Sequence, residues 1–467
     1  MSLVFFSVGA TGPGSAFEQI LRFSAVRTDW NLDELESVDL RCRLLPHVIA
    51  SPGVVHAAGY TVDELTDISV PTHYQMVRSV RDQLLKWTPA TFIGYNSIAC
   101  DEHLLRHALY QTLHHPYLTN SDRNTRSDVM RITQAAAIFS PGALTIPKDD
   151  QGLLRFALPE LAAANGFKGS AISGTSSSVR AMMFLARLLM DNASEAWSSA
   201  MRFSKKATVT DFVENETVFA LADFYFDKPQ SWLVTALGAD VSIRTDYYVY
   251  NLAVDPDELI KLDDEELASR LEAQPKPVRI LKINAAPILT SATDAMGAAR
   301  GSNLGLQELE RRADVVRTDR DFCDRLMRAM AGKRKEKASS PYVEEQIYDS
   351  FTSNEDLRLL ADIHRIPWHK RPAVIDNLQD ERLKTLGRQL MYFEQPDLLS
   401  AASRLKYDRE FAQKLAYPAG DVPWLSIHHA IEEIDSLLAG LPKRRSEKLQ
   451  AYRSYLTRRL GEAKSRC

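Results

Sequence analysis

The sequence predicts an α/β domain built on a mixed sheet, followed by a small β module and a helical C-terminal region. Three observations carry that expectation. Strand-like and helical runs alternate from residue 1 to about 195, the pattern of helices covering a sheet. Short β-rich runs dominate residues 196–345. From 346 to 467 apolar residues fall at helical spacing almost throughout.

The first strand is "LVFFSV", Leu3 to Val8, a β-favouring apolar run that enters a turn punctuated by Gly9, Gly12 and Gly14. A strand that ends in such a turn is a common place for a site. "ILRFSAVRT" supplies a second strand, and "ATFIGYN" ends a third at Gly94-Tyr95-Asn96. "DEHLLRHALYQTL" then starts a helix near Asp101, which puts a carboxylate at the positive end of the helix dipole. Capping alone would explain an Asp there. "SSVRAMMFLARLLMDNA" is the late helix of this part.

In the second part, "ETVFALADFYF", "SWLVTALG", "DYYVYNLAV" and "VRILKINAAPIL" read as strands, with helical inserts "DEELASRLEA" and "LGLQELERRADVV". A small barrel-like module fits them. "AGKRKEKASSP", Ala331 to Pro341, is basic and poor in apolar residues, as a mobile linker is. Beyond it, Leu449, Tyr452, Leu456 and Leu460 keep helical spacing, and a helical bundle is expected.

Composition bounds the function. A chain of 467 residues, 45% hydrophobic and 25% charged, is an ordinary globular protein with room for about three domains. Lys and Arg total 57 against 61 Asp and Glu, so a net charge of -4 confines any nucleic-acid-binding surface to local patches. Cys42, Cys100, Cys323 and Cys467 form no CxxC pair, which argues against a zinc site or disulfide framework and for a reducing cytoplasm. No basic leader and no long apolar run is present, so neither secretion nor membrane spanning is expected.

Several phrases taken together resemble the exonuclease I family, bacterial 3'-to-5' single-strand DNA exonucleases of the DEDD type. "VFFSVGATG" is similar to the family's F-F-D-T-E-T-T-G, and "ILRFSAVRTDWNL" to its Q-F-A-A-I-R-T-D strand. "SPGVVHAAGYTVDEL", "GYNSIACDEHLLRHALYQTLHHPY", "RSDVMR" and "PKDDQGLLRFALPELAAANGF" follow in family order. "VRILKINAAPIL" resembles a later family strand. The resemblance implies a ribonuclease H-like exonuclease domain over 1–195, an SH3-like β domain with helical inserts and basic linker over 196–345, and a helical domain over 346–467.

Active members hold two Mg²⁺ or Mn²⁺ ions on four carboxylates, with a His as general base. Two dications roughly 4 Å apart need several negative charges beside them. Here the resemblance places the first Asp on Ser7 and the Glu on Gly9. The second Asp falls on Asp101, while the family's H-D-A-M-A-D-V falls on Ser173 to Val179. The base thus becomes Ser173 and the last Asp becomes Ser178. One carboxylate of the four remains, so neither bound metal nor catalysis is expected. Asp128, Asp149, Asp150 and Glu18 are the acids that could rebuild a metal site, and His103 and His107, at i and i+4, could make a different one. A solvated helix face is the simpler expectation for the two histidines.

The family's basic-aromatic Y-R-A-R-N-F-P stretch falls on Leu390 to Pro396, where both arginines are gone and Glu394 has appeared. Each lost phosphate contact removes roughly one released counterion from the binding free energy. Cations persist in the linker, at Lys333, Arg334, Lys335 and Lys337, and near the end, at Lys443, Arg444, Arg445, Arg453, Arg458 and Arg459. Two functions fit this pattern. One is a pseudo-exonuclease that binds single-stranded DNA, the acidic tail of single-stranded-DNA-binding protein, or another protein. The other is an active 3'-to-5' exonuclease with a rebuilt metal site. The sequence favours the first, because three motifs have degenerated together while the framework phrases remain.

Overall fold

The computed structural model describes residues 2–169, 174–225, 228–295, 304–333, 338–418, 420–440 and 442–467. Its first sheet has five strands: β1 (Ser2–Ala10), β2 (Ile20–Thr28), β3 (Glu34–Arg41), β4 (Ala90–Gly94) and β5 (Thr125–Asp128). Their order is β3-β2-β1-β4-β5. β2 runs antiparallel to β1 and β3, whereas β4 runs parallel to β1 and β5, so the sheet is mixed as expected.

The unbroken apolar run of β1 has a direct cause: both faces of this strand are covered. Leu3 and Phe5 pack with Val129, Ile132, Val179 and Leu185 on one side. Val4 and Phe6 pack with Val77, Leu84, Leu105 and Leu109 on the other. Phe5 and Phe6 are almost fully buried, each contributing roughly 2 kcal/mol by removal from water. Ser7 and Gly9 lie on the face of Leu3 and Phe5, because side chains alternate along a strand. That face meets the helix Thr175–Asn192.

A second sheet holds β6 (Phe219–Tyr225), β7 (Lys228–Ala239), β8 (Asp246–Asn251), β9 (Val278–Lys282) and β10 (Ile288–Ser291). It is antiparallel throughout, in the order β10-β6-β7-β8-β9. The helices Leu306–Thr318 and Arg320–Ala331 cover Tyr248 and Tyr250 with Leu309, Val316, Phe322 and Leu326.

The C-terminal helices are not a bundle closed on itself. Leu449, Tyr452 and Leu456 share one core with Ile49, Ala50, Val55 and Tyr60 of the α/β part. Ile363, Leu383, Leu386 and Leu390 share another with Tyr74, Tyr110 and Leu113. Helical spacing correctly shows that a face is buried, but the partner is set by tertiary packing. Among the described residues, no helix is long and apolar enough to cross a membrane.

Candidate functional site

The site lies where β1, β4 and β5 end together. Asp101 opens the helix Asp101–Gln111, and its Oδ2 accepts the backbone N–H of Val8 at 3.2 Å, between Ser7 and Gly9. A turn through Asn96, at φ 53°, carries the chain from β4 toward that helix. Asp128 ends β5 and accepts from the backbone N–H groups of Asn96 at 2.9 Å and Met130 at 3.0 Å, with Ile98 at 3.4 Å. It thereby caps the helix Val129–Phe139 and ties it to the neighbouring turn.

The opposite wall is made of hydroxyls. The helix Thr175–Asn192 starts after Gly174, and Thr175 Oγ1 lies 2.6 Å from Ser24 Oγ, which donates to Asp39 at 2.8 Å. Ser24 pairs with Ser7 across the sheet. A Cβ at Gly9 would stand 3.3 Å from the Thr175 methyl, so a larger side chain there requires Thr175 to give way. A register shift between Gly9 and Ala10 marks a bulge at this strand end. Ser178 is half-buried in the first turn of the helix.

The charge left at the site is poorly compensated. Burial, and then the charges of Asp128 and Glu102, push the Asp101 carboxyl up to about 7 against the pull of the Val8 N–H. Asp128 is also raised, chiefly by burial. Two carboxylates so placed repel when both ionise.

Of the residues singled out from the sequence, Ser7, Gly9 and Asp101 meet at this strand end, and Ser178 lies in the first turn of the facing helix. Ser173, Arg334, Lys335 and Lys337 lie outside the described residues, as do the side chains of Lys443, Arg444 and Arg445. Glu18 accepts the Thr11 hydroxyl and lies over Gly12, where a Cβ would meet its Oε1 at 2.6 Å. Asp149 turns its carboxylate onto the backbone of Gln151 and Leu153, both at 2.9 Å. Asp150 follows it in the same turn. Among the described residues no group of three or more His, Cys, Asp or Glu is placed to hold a metal.

His103 and His107 do not form a solvated face. The segment Val343–Tyr348 covers them: His107 is buried with Nδ1 3.0 Å from the Glu344 carbonyl, and His103 Nδ1 is 3.0 Å from the Tyr348 hydroxyl. Several of the expected cations are also engaged within the chain. Lys333 pairs with Glu272 at 2.8 Å and Arg453 with Asp435 at 2.7 Å. Arg459 donates to Tyr455 Oη at 2.8 Å and to the Pro46 carbonyl. Arg458 is exposed, 3.9 Å from Glu462. In the Leu390–Pro396 stretch, Tyr392 bonds Asp408, Phe393 stacks on His47, and Glu394 accepts from Thr72.

Sequence reasoning missed an aromatic ledge beside the Asp101 helix. Tyr348 is 50% exposed and Phe351 88% exposed, large apolar surface for two neighbouring side chains. Tyr117 lies 6.4 Å from Phe351 and under the Arg106 guanidinium at 5.4 Å. Arg106, Arg126 and Lys282 all press their positive field on His103, which contacts Tyr348. The aromatic residues were visible in the sequence, but their exposure was not.

Residues 341–459 match the family described as Exonuclease I C-terminal domain. The chain is 22% identical over 403 residues to the exodeoxyribonuclease I of Escherichia coli strain K12, covering 82% of this chain and 84% of that one. It is 22% identical over 412 residues to the Haemophilus influenzae exodeoxyribonuclease I, with coverage of 82% and 84%. In fold it is similar to E. coli exonuclease I in complex with a dA16 oligonucleotide, at a TM-score of 0.84 and 19% identity, over 98% of this chain and 99% of that one. A moderately thermophilic exonuclease I from Methylocaldum szegediense gives a TM-score of 0.84 at 20% identity, with the same coverage. The C-terminal region thus carries the Exonuclease I C-terminal domain, and the chain is similar to exodeoxyribonucleases I over most of its length in sequence and nearly all of it in fold.

Proposed function

We propose that this chain is a catalytically inactive exonuclease I-like protein that keeps the family frame to bind single-stranded DNA. The observation that supports inactivity is the strand-end site itself. The resemblance puts metal carboxylates at Ser7, Gly9 and Ser178, where the chain has only neutral groups, and the base at Ser173. Asp101 is left with Asp128, whose oxygens are taken up by backbone N–H groups. That set does not fit a pair of hard divalent ions, which need six or more oxygen ligands each and several negative charges between them. No step of a metal-assisted hydrolysis is therefore assigned to these residues.

The aromatic ledge supports the binding half of the proposal. Bases stack on exposed aromatic rings for roughly 1–3 kcal/mol each without regard to sequence, and nearby cations hold the phosphates. Tyr348, Phe351 and Tyr117 offer rings, while Arg106 and Lys282 supply positive field. Some relatives of this fold have been seen with oligonucleotides, E. coli exonuclease I with dA16 and with dT13 among them.

Two measurements test the halves separately. Incubated with a 3'-labelled single strand in Mg²⁺ or Mn²⁺, the protein is expected to shorten it no faster than its Asp101→Ala variant. Processive shortening that the variant loses would establish the rebuilt nuclease instead. In fluorescence anisotropy, a labelled single strand is expected to bind weakly, with affinity falling steeply from low to physiological salt. Replacing Tyr348 and Phe351 together by Ala is expected to weaken binding about tenfold or more. Binding of a labelled acidic peptide but no DNA would point to a protein partner, with Arg444, Arg445, Arg458 and Arg459 as the cations to neutralise next.

A further inference from the structure

We infer that the seam between the α/β part and the C-terminal helices is a proton-sensitive joint, centred on His364 and its stack with His114. The chain has 11 histidines. His73, His107 and His114 are each 4% exposed in this seam, and His364 stacks on His114 from the C-terminal side.

The hydrogen bonds of His364 fix its charge state. Its Nε2 lies 3.0 Å from the Leu113 carbonyl, which can only accept, so Nε2 carries the proton. In the neutral ring Nδ1 is then an acceptor, and the Tyr74 hydroxyl donates to it at 3.0 Å. Tyr74 Oη in turn accepts from Arg371 Nη1 at 3.0 Å. Protonating Nδ1 breaks this chain, because Tyr74 Oη then faces two donors and its own hydrogen must turn away. Arg371 cannot release the strain by losing its charge. It is 3% exposed and its guanidinium stacks 3.6 Å over Trp368.

The stack raises the cost of a proton further. The rings of His114 and His364 are 3.8 Å apart, with Tyr74 stacked on both at 6.2 and 5.9 Å. Facing the pair are the cations Arg78 and Arg81 from the helix His73–Trp87 and Arg371 from the helix Arg371–Asp376. Glu394, whose field reaches Arg371, accepts from Thr72, and burial raises its pKa and favours its neutral form. Among the described partners no carboxylate contacts either imidazole. Burial and these cations hold His364 near 4 and His114 near 2, while His73 and His107 sit near 4 through burial. Depressed values mean that the unfolded or opened state binds more protons. The stability of the seam is therefore complete above the ordinary histidine value and is lost as pH falls through the native ones. Val343–Tyr348 is held to the C-terminal helix Glu381–Glu394 by Arg382, which donates to the Gln346 carbonyl at 2.6 Å, and to the Asp101 helix by Tyr110 and His107, so opening of the seam displaces the ledge from the Asp101 helix.

The joint is testable on the full chain by small-angle scattering and far-UV circular dichroism between pH 8 and 4. The expected result is a reversible increase in radius of gyration with a midpoint between about pH 4 and 6, while helical content is retained. A double variant, His114→Phe with His364→Gln, keeps a ring at position 114 against Tyr74 and an amide donor for the Leu113 carbonyl, and removes the two stacked imidazoles that titrate. Its midpoint is expected at least about one pH unit lower. An unmoved midpoint, or expansion only together with loss of helix, would overturn the inference. Should the variant fold poorly, histidine ¹³Cε1 spectra of the wild-type chain decide: seam imidazoles that take up protons with no expansion also overturn it.

Discussion

Asp101→Asn is expected to stabilise the metal-free protein by roughly 3 kcal/mol at pH 8 and by under about 1 kcal/mol at pH 4. Its carboxyl is pushed up to about 7 by burial and by Asp128 and Glu102, so between about pH 4 and 7 the folded state holds a proton that the unfolded chain has released, and above that range it carries a buried charge that Asn removes. A raised carboxyl contributes its full stability below the unfolded value, near 4, and loses it as pH rises through the folded value. About three units at 1.36 kcal/mol each set an upper bound near 4 kcal/mol, reduced here because Asp101 is not fully enclosed. Asn is neutral at every pH, and its Oδ1 can still accept from Val8. Urea unfolding at pH 4, 6 and 8 measures the difference. The same series with millimolar Mn²⁺ separates the two functions: an ion-binding carboxylate would make the variant less stable than wild type in metal. A vacated site leaves the pH trend unchanged.

How far the site could be read from the sequence differs from residue to residue. The ends of β1 and β4 were legible, because an apolar run meeting Gly9 or Gly94 has few other structures open to it. So was Asp101 at a helix start, since a carboxylate directly before an apolar-periodic run favours that position. The use of each acid was not. Asp128 and Asp149 are spent on backbone N–H groups and Glu18 on Thr11, and such local bonds depend on turn geometry that side-chain spacing does not encode. The spacing of His103 and His107 marks one helix face but cannot say that residues some 240 positions later cover it, here through Glu344 and Tyr348. The helical spacing of Leu449, Tyr452 and Leu456 likewise shows burial without naming Ala50 and Val55 as neighbours. The Thr175–Ser24–Asp39 chain joins residues more than 130 apart, and no single-sequence signal points to it.

The same distinction between a capping acid and a metal ligand gives Asp128→Ala a large and opposite effect, a loss of roughly 3 kcal/mol. Asp128 is 2% exposed and satisfies the N–H groups of Asn96 and Met130, with a weaker contact to Ile98. Ala leaves these donors buried at the junction of β4, β5 and the helix Val129–Phe139, at about 1 kcal/mol or more apiece. Burial raises the Asp128 pKa, so the native carboxylate is itself under some penalty, and Asn should recover part of the loss by removing the charge. Asn keeps Oδ1 facing Asn96 and Met130 but turns Nδ2 toward the Ile98 N–H, so recovery stops short of wild type. Asp101 reports the change independently: without the neighbouring charge its carboxyl should titrate lower, visible in carboxyl ¹³C spectra. A change within about 0.5 kcal/mol for Asp128→Ala would exclude the capping role. Loss of Mn²⁺ binding in that variant would instead make Asp128 a ligand, and the inactive assignment would fall with it.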